Sequence, residues 1–497
     1  MVIGIDLGTT YSVGAYVDEF GMPQIINNSE GSTITPSVVL FDTDQNIIVG
    51  DVAKDNAVIR PQDVVFVVKN YMGKKIILKE VGEQKYSPEM ISSFILRKMV
   101  KDSEKLLGND ISGVVITVPA YFTDAQRKAT EDSAVMAGIP LIGMINEPTS
   151  AALCYVNKNN IKNETLLIYD LGGGTFDVTI LGVKDSNQIE VLSTGGLSNS
   201  GGRFFDQYIV DYVREYMDEK YSIDLEDEEY IDELQELYLK AENTKIQLSS
   251  RTSVSIVLKV GKIKEKIEIT REIFEGMIKK VYTRTESKMK DALKVAKLEP
   301  NQIDKILLVG GSSRIPYIVK NLHDFIGKEP SQDVNPDEAV AIGAALFGNL
   351  IVKKDDRLTF TDVCSHSIGV VVINTDGMEE NEVIIPRNSK IPVEKEQRFR
   401  TIVNNQKMIC LSITEGEYRE LTDVTIIGNF DITLPPNLNQ NTLILLKISL
   451  DKYQLIHITV ALPDVGFEQE YHMKRIANMD EESIMNMTGI LRDYKVG

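Results

Sequence analysis

The chain has 497 residues and a formal net charge of −19, with 43% hydrophobic and 26% charged residues. These values are typical of a folded globular protein of about three domains and exclude a disordered chain. The negative charge disfavours general binding to nucleic acids or anionic membranes, because it repels their phosphates. Cys154, Cys364, Cys410 and the four histidines are too scattered to predict a disulfide framework or a zinc site.

The chain begins MVIGIDLGTT, with Asp6 inside its first apolar run and no basic segment before it. This start lacks the pattern of a secretory signal peptide. No apolar run in the sequence reaches the ~18 residues that a membrane-spanning helix needs. These two observations predict a cytoplasmic protein.

Two segments of the chain repeat one pattern. Ile3–Thr10 and Leu167–Thr175 each pass from an apolar strand through Asp-Leu-Gly to threonine. A β-like stretch follows each, at Tyr11–Val17 and Phe176–Val183, which predicts a hairpin with a glycine-rich turn in both places. The repeat predicts two related α/β lobes that face a shared cleft.

Further elements lie between and after the repeats. Val114–Pro119 is predicted as a buried strand and Asp124–Gly138 as a helix that ends at a glycine. Another helix is predicted from about Glu228 to Leu248. The i, i+3, i+7 spacing points three polar residues of that helix in nearly one direction: Glu242, Lys245 and Ser249.

A third strand-to-glycine turn follows. The strand Lys305–Val309 enters Gly310–Arg314, and Pro316 suits the first turn of the next helix. After Ile351, short alternating apolar runs separated by turn residues predict an all-β module. Its predicted strands are Ser367–Ile373, Arg398–Val403, Met408–Thr414, Leu443–Leu450 and Leu455–Ala461. A short helix is predicted at the end of the chain, over Asp480–Tyr494.

The glycine-rich turns predict a phosphate site. Such turns offer consecutive backbone N–H groups to an anion, and three of them suit a polyphosphate. Asp6, Asp170 and Asp177 would repel that ligand unless a divalent cation lay between, which implies magnesium held largely through waters. The sequence has no P-loop, Rossmann or nucleophile-elbow motif. Phosphoryl transfer is therefore the predicted reaction class.

Six motifs in order resemble the DnaK-type seventy-kilodalton heat-shock chaperones. They cover essentially all of residues 1–350 and are Ile3–Ser12, Val118–Gln126, Asn146–Leu153, Asp170–Val178, Val309–Pro316 and Asn335–Ala345. The β-rich module resembles the peptide-binding sandwich of that family at Asp362–Val363, Pro386–Asn388, Ile391–Pro392 and Glu415–Glu417. The short tail and the phrase Thr361–Cys364 look most like the bacterial HscC branch.

The resemblance implies an actin-like, duplicated two-lobe ATPase followed by a β-sandwich and a short C-terminal helix. The implied domains are an ATPase domain at 1–352, a linker at 353–361, a peptide-binding sandwich at 362–474 and a vestigial lid or tail at 475–497. The implied function is an ATP-hydrolysing chaperone that binds extended apolar segments of unfolded polypeptides.

The resemblance also implies roles for single residues. The implied catalytic residues are Lys69, Glu147, Thr175, Asp6 and Asp170, and Mg²⁺ and K⁺ would lie among Asp6, Asp170 and Asp177. The implied ATP- or ADP-binding residues are Gly8, Thr9, Thr10, Tyr11, Gly172, Gly173, Gly174, Thr175, Gly201, Gly202, Glu242, Lys245, Ser249, Gly310, Gly311, Ser312, Arg314 and Asp337. Pro119 and Arg127 would relay the nucleotide state to the sandwich. The implied peptide cleft consists of Val370, Ile373, Phe399, Ile402, Ile409 and Leu411.

Several positions depart from the family pattern. Arg203-Phe204 replaces an acidic pair, and the connector Asp355–Asp362 offers only Leu358 and Phe360 for docking. A J-domain cochaperone is an implied partner. Gly143 replaces an arginine that lies near the J-domain in the family, so the usual contact with a J-domain is not expected. About twenty residues after the sandwich cannot form a multi-helix lid, so we expect fast peptide release.

Two other classes share the duplicated turns. An actin-like filament or cell-shape protein needs no peptide-binding sandwich after its ATPase lobes, so the module after residue 350 discriminates against it. A sugar-kinase relative predicts ATP turnover stimulated by a small sugar or polyol, whereas a chaperone predicts stimulation by an apolar peptide.

Overall fold

The computed structural model describes residues 1–43, 45–159, 161, 163–185, 187–331, 333–354, 359–374, 377–451, 456–471 and 481–497. The first lobe is built around a sheet in the order β11-β10-β1-β2-β3, in which β4 also pairs with β2. Its elements are β1 (Val2–Asp6), β2 (Tyr11–Val17), β3 (Pro23–Ile26), β4 (Thr35–Pro36), β5 (Val39–Thr43), β6 (Asn46–Val49), α1 (Asp51–Asp55), β7 (Val64–Val65), β8 (Lys79–Val81), β9 (Gln84–Tyr86), α2 (Pro88–Leu107), β10 (Gly113–Val118), α3 (Asp124–Ala137), β11 (Leu141–Asn146) and α4 (Glu147–Lys158).

The second lobe has a sheet whose first four strands follow the order β17-β12-β13-β14. Its elements are β12 (Asn163–Leu171), β13 (Phe176–Lys184), β14 (Gln188–Leu197), α5 (Gly202–Tyr221), α6 (Ile231–Leu248), β15 (Ser253–Val260), β16 (Ile263–Thr270), α7 (Arg271–Ala296), β17 (Lys305–Val309), α8 (Pro316–Ile326) and α9 (Ala339–Lys353). The predicted start at Glu228 falls on a separate 3₁₀ turn, Glu228–Tyr230, that precedes α6.

The predicted repeat is confirmed by the pairing of the strands. In the first lobe β1 pairs antiparallel with β2 and parallel with β10. In the second lobe β12 pairs antiparallel with β13 and parallel with β17. Both predicted hairpins therefore form, and each sheet ends its central strand at an Asp-Leu-Gly turn facing the other lobe.

Two helices pack between the lobes. Helix α9 lies on β1 and β2 of the first lobe, and α4 packs with α9 and with the sheet of the second lobe. The helices approach closely because Gly343 has no side chain, since a Cβ there would lie 1.8 Å from the Ser150 carbonyl oxygen. This crossing forms the base of the cleft.

The β-rich module is a sandwich of two antiparallel sheets, as the alternation predicts. Its strands are β18 (Thr359–Val363), β19 (Ile368–Ile373), β20 (Glu379–Ile385), β21 (Lys390–Ile391), β22 (Val393–Arg400), β23 (Met408–Glu415), β24 (Thr425–Thr433), β25 (Leu443–Leu450), β26 (Ile456–Leu462) and β27 (Phe467–Tyr471). The sheets have the orders β20-β19-β23-β24 and β22-β25-β26-β27. The predicted strand Arg398–Val403 is wrong in its bounds: β22 begins at Val393 and ends at Arg400, before a turn with Asn405 at positive φ.

The described part of the connector between the ATPase lobes and the sandwich, which begins at Thr359, is a strand. Within the predicted linker 353–361, α9 ends at Lys353 and β18 begins at Thr359. β18 pairs parallel with β14 and antiparallel with β21, so the sheet of the second lobe continues into the sandwich module. Phe360 packs edge-to-face on Phe347 of α9, with ring centroids 5.7 Å apart. The other predicted docking residue, Leu358, lies outside the described residues.

The C-terminal segment packs on the first lobe. It contains α10 (Glu481–Leu491) and β28 (Lys495–Val496), and the predicted cap Asp480 lies outside the described residues. β28 pairs parallel with β6, which extends the sheet β6-β5-β7 by one strand. Ile484, Leu491, Tyr494 and Val496 belong to the apolar core of the first lobe. Among the described residues, no helix is long and apolar enough to cross a membrane.

Candidate nucleotide site and its link to the sandwich

The two Asp-Leu-Gly turns and the third glycine turn meet at one cavity of about 370 Å³ between the lobes. Most of the predicted nucleotide-site residues line it, including the polar face of α6. The predicted residues that line it are Asp6, Gly8, Thr9, Thr10, Tyr11, Lys69, Glu147, Asp170, Gly172, Gly173, Thr175, Glu242, Lys245, Ser249, Gly310, Gly311, Ser312, Arg314 and Asp337. Residues distant in sequence thus converge through the fold.

The remaining predicted glycines lie directly behind this lining. The amide of Gly202 donates to the Gly172 carbonyl at 2.8 Å, and the Arg203 amide donates to Gly173 at 2.9 Å. A Cβ on Gly201 would lie 2.4 Å from the backbone of Gly173, so only glycine permits this approach. These contacts fix the shape of the glycine-rich turn at Gly172 and Gly173. Arg203, which departs from the family pattern, is exposed to solvent.

A buried ion pair lies on the cavity wall. Lys69 Nζ donates to Glu147 Oε1 at 2.6 Å, and both side chains are buried. Lys69 is on a short 3₁₀ turn that follows Val67, a β-branched residue held at φ 53°. Such a backbone conformation is strained and is found where surrounding packing fixes a side chain for function. Lys69 is therefore a positioned cation and not a solvated surface lysine.

Three buried aspartates surround this pair. Burial, followed by repulsion from Glu147, raises the pKa of Asp6 and of Asp177 to about 7. The same two causes raise the pKa of Asp170 well above its ordinary value. In Lys69, the surrounding carboxylates outweigh the opposing effect of burial and raise the pKa of the amine. The cluster carries more potential negative charge than one lysine neutralises.

The donor set fits a hydrated divalent cation. Asp170 Oδ2 is buried and has no hydrogen-bond partner, which is the state of an oxygen prepared for an added cation or its water. Within the described ranges, no three His, Cys, Asp or Glu side chains are arranged to hold a metal ion directly. Mg²⁺ commonly keeps several of its waters and takes only one or two protein carboxylates, so a magnesium ion held largely through waters would need no such cluster.

The other end of the cavity is closed by a contact between the lobes. Lys54 of α1 pairs with Glu242 of α6 at 2.5 Å, and Tyr11 joins them through its hydroxyl. Lys245 pairs with Asp206 at 2.7 Å, which holds α6 against α5. Sequence reasoning missed Lys54 and Asp206, because neither lies in a motif and only the tertiary fold brings them to the cavity.

Glu147 is one residue away from a link to the connector. Asn146, next to Glu147, donates to Asp362 Oδ2 of β18 at 2.7 Å. Arg127 of α3 is buried and donates to Asn146 Oδ1 at 2.9 Å. The predicted relay residue Arg127 thus contacts the side chain that joins the cavity to the connector.

The segment after Pro119 makes a second link. The Tyr121 amide donates to Asp177 Oδ1 at 3.1 Å, while the Tyr121 carbonyl contacts His366 Nε2 of the sandwich at 3.0 Å. Ser365 also hydrogen-bonds the Ala120 carbonyl. Asp177 does not line the cavity itself, and it joins the cavity to the sandwich through Tyr121. The sequence motif Val118–Gln126 contained Tyr121, but nothing in the sequence assigned it this contact.

The predicted peptide cleft is divided by exposure. Val370 and Leu411 are buried in the sandwich core, and Phe399 and Ile409 are half-buried against it. Ile373 and Ile402 are 71% and 72% exposed. Ile373 ends β19 and Ile402 lies in the turn after β22, where exposed apolar side chains are available for a partner, whereas the buried residues belong to the core.

The fold and the site define a two-lobe ATPase joined by a docked strand to a β-sandwich. A family model described as Hsp70 protein matches residues 2–495. The chain is 37% identical over 99% of its length to the chaperone protein DnaK of Thermotoga neapolitana, covering 84% of that protein. It is 36% identical to the proteins of the same name from Thermotoga maritima and Thermosipho melanesiensis, over 99% of this chain and 84% and 83% of theirs.

The chain therefore belongs to the Hsp70 family. It is an ATP-hydrolysing molecular chaperone that binds unfolded polypeptides, and the actin-like filament alternative is not favoured.

Proposed function

We propose that ATP is hydrolysed in the cavity between the lobes and that Lys69 and Glu147 are the reacting site's central pair. The observation that supports this most directly is their buried 2.6 Å contact beside Asp6 and Asp170. Phosphoryl transfer depends on charge neutralisation and on a positioned water. Lys69 would stabilise charge on the γ-phosphate as it is transferred to water, and Glu147 would orient that attacking water. Thr175 would lie beside the loop that binds the phosphates.

The remaining predicted residues would hold the rest of the nucleotide. The glycine turns would bind the phosphates through backbone amides, and Glu242, Lys245, Ser249 and Arg314 would hold the adenosine side. When bound, Mg²⁺ would neutralise phosphate charge, with Asp6, Asp170 and Asp177 around it and K⁺ nearby. A bound cation would favour the charged form of these carboxylates and so oppose the rise in pKa that burial causes.

We propose that the sandwich binds one extended apolar peptide at Ile373 and Ile402, above the half-buried Phe399 and Ile409 and the core residues Val370 and Leu411. Backbone pairing would give affinity and a central apolar pocket would give selectivity. The route from nucleotide to peptide would run through Asn146, Arg127 and Asp362 and through the segment Pro119–Tyr121.

The finer assignments are proposals of the same kind. We assign the domain bounds 1–352, 353–361, 362–474 and 475–497, a place near the HscC branch, and a cytoplasmic location. A J-domain partner would have to bind without the usual arginine, since Gly143 lies beneath α9, where a Cβ would be 3.3 Å from Ile351 Cδ1.

The experiment that tests the function is the ATPase rate of the full chain with and without a soluble peptide carrying a central Leu-Leu-Leu run. We expect magnesium-dependent turnover that the peptide stimulates. No stimulation by the peptide, together with stimulation by a sugar or polyol, would contradict the proposal.

A further inference from the structure

The C-terminal segment is part of the first lobe's core. Leu491 is fully buried, and Val496 and Tyr494 are 4% and 7% exposed. The Tyr494 ring packs tilted on Phe94 at 5.6 Å and edge-to-face on Tyr86 at 6.3 Å. These contacts place the end of the segment in the interior, whereas α10 exposes Met485 and Ile490 and buries only one face.

Polar groups on both sides of this junction are also satisfied. The hydroxyls of Tyr494 and Tyr86 hydrogen-bond at 2.8 Å inside the core. Arg97 of α2 donates to the Leu491 carbonyl and, at 2.9 Å, to the Tyr494 carbonyl, and Lys101 donates to Val496 at 2.8 Å. Arg97 satisfies the Leu491 carbonyl at the end of α10, and both cations hold the backbone that follows the helix.

Backbone pairing completes the junction. The Val49 amide donates to the Gly497 carbonyl at 2.9 Å, and the Gly497 amide donates to Ile47 at 2.9 Å. β28 thereby covers an edge of β6 that would otherwise be open.

The connector junction has a different character. It consists of side-chain hydrogen bonds between the ATPase lobes and the sandwich module, made by Asn146, Arg387 and Glu415, and of the pairing of β18 with β14. A junction made largely of polar side-chain contacts and one short strand pairing opens at lower cost than a packed apolar interior does. The two attachments of the sandwich therefore differ in how easily they separate.

We propose that residues 481–497 are a fixed clasp of the first lobe and not a lid that travels with the peptide-binding sandwich. The chain continues from the sandwich into this clasp, so β18 and the polar contacts of the sandwich with both lobes can release while the C-terminal segment stays on the first lobe. The sandwich can therefore undock from the lobes while residues 481–497 keep it tied to the ATPase domain. This inference goes beyond the proposed function and does not depend on which residues hydrolyse ATP.

Hydrogen exchange of the full chain tests the proposal in ATP, in ADP, and in ADP with the Leu-Leu-Leu peptide. We expect exchange in β18 and at Arg387–Ile391 to rise at least tenfold on going from ATP to ADP with peptide. Exchange in 481–497 and in β6 should change by less than threefold. A rise of exchange in 481–497 that parallels β18 would overturn the proposal, and so would equal, low protection of 481–497 in all three states.

A crosslink gives a second test. Asn46 and Lys495 are register partners across β6 and β28, so Asn46→Cys with Lys495→Cys, in a Cys410→Ser background, places two thiols on neighbouring strands. We expect the oxidised protein to keep peptide-stimulated ATPase and peptide release within twofold of the reduced protein. A tenfold loss that dithiothreitol reverses would mean that this segment must detach.

A milder variant separates the clasp from general stability. Tyr494→Phe removes only the hydroxyl that pairs with Tyr86, and Tyr418→Phe, on the exposed face of the sandwich, is the matched control. We expect Tyr494→Phe to raise exchange about tenfold in β6 and in 492–497 without changing the second lobe. No difference between the two variants in β6 would contradict the packing on which the clasp rests.

Discussion

The residues of the nucleotide cleft could be predicted from the sequence more completely than those of the apolar cleft of the sandwich. In the first, nearly all of the motif residues converge on one cavity. In the second, six aligned apolar residues divide into buried, half-buried and exposed positions. Buried charges are costly unless a ligand or partner compensates them, and glycine is needed where the backbone must approach a ligand closely, so their pattern identifies a site. Apolar residues serve a core and a cleft equally well.

The largest expected effect tests the nucleotide cleft. Replacing Lys69 removes the cation that pairs with Glu147 in the buried carboxylate cluster, and Lys69→Ala should lower kcat of ATP hydrolysis by about 100-fold or more. Nucleotide binding should be retained, as measured by calorimetry. Lys74→Ala is the control, because Lys74 lies close by on the exposed surface. Wild-type turnover in the Lys69 variant would remove this lysine from the mechanism.

The next effect separates core from cleft in the sandwich. Phe399→Ala should weaken binding of an apolar peptide about tenfold and leave basal ATPase nearly unchanged, since the ring is half-buried between core and surface. Fluorescence anisotropy of a labelled peptide measures this. An unchanged peptide affinity would point to a different cleft.

A matched pair sharpens the same distinction. Ile402→Ser should lower peptide affinity several-fold without changing stability, because Ile402 is exposed. Val370→Ala should lower the free energy of unfolding by about 2 kcal/mol, because Val370 is fully buried. Denaturant unfolding measures the second effect. The assignment of Ile402 to the cleft and Val370 to the core is wrong if Ile402→Ser lowers stability and Val370→Ala lowers only peptide affinity.

The junction between the two regions should respond to pH. Burial, with repulsion from Asp124, raises the pKa of Glu415 from its ordinary value of 4.5 to about 8. Arg127 opposes this shift, and Glu417 adds to it. A carboxyl with a raised pKa in the docked state binds a proton on docking, so docking weakens as pH rises from about 4.5 to 8 and changes no further above it.

Two other groups at this junction define the pH window. Burial lowers the pKa of His366 below its ordinary 6.5, which favours docking as pH rises toward 6.5, whereas burial raises the pKa of Asp362. Above pH 6.5 the His366 imidazole contributes no further change, whereas Glu415, with a pKa of about 8 when docked, titrates between pH 6.5 and 8. Docking should weaken by up to about tenfold per pH unit there.

Energy transfer between dyes on Cys410 and on Ser287→Cys of α7 measures the docked fraction with ATP present. Glu415→Gln keeps the shape of the protonated acid and should remove most of the dependence between pH 6.5 and 8. An equally steep dependence in that variant would exclude Glu415.

The smallest expected effect concerns the connector. Phe360→Ala removes the ring that packs on Phe347, and it should reduce peptide stimulation of ATPase about threefold while basal turnover stays near wild type. Phe360→Leu should restore most of the stimulation, because it keeps an apolar side chain there. Unchanged stimulation in the alanine variant would show that backbone pairing of β18 alone carries the coupling.

Sequence alone determined the elements whose signals are local. The two hairpins, the strand Lys305–Val309 and the helix ended by Gly138 follow from glycine, capping and apolar alternation. The nucleotide cavity could be predicted for the same reason, because its residues lie in short motifs at strand ends. Only the convergence of these motifs required the tertiary fold.

Tertiary structure alone decided the contacts between distant segments. Lys54 with Glu242, Tyr121 with His366, and Asn146 with Asp362 join residues that no motif links. The position of the C-terminal segment is the clearest example, since its apolar stripe is compatible with a lid, a tail or a core helix. A stripe specifies that a helix buries one face, and only the shape and open strand edge of the first lobe specify against what.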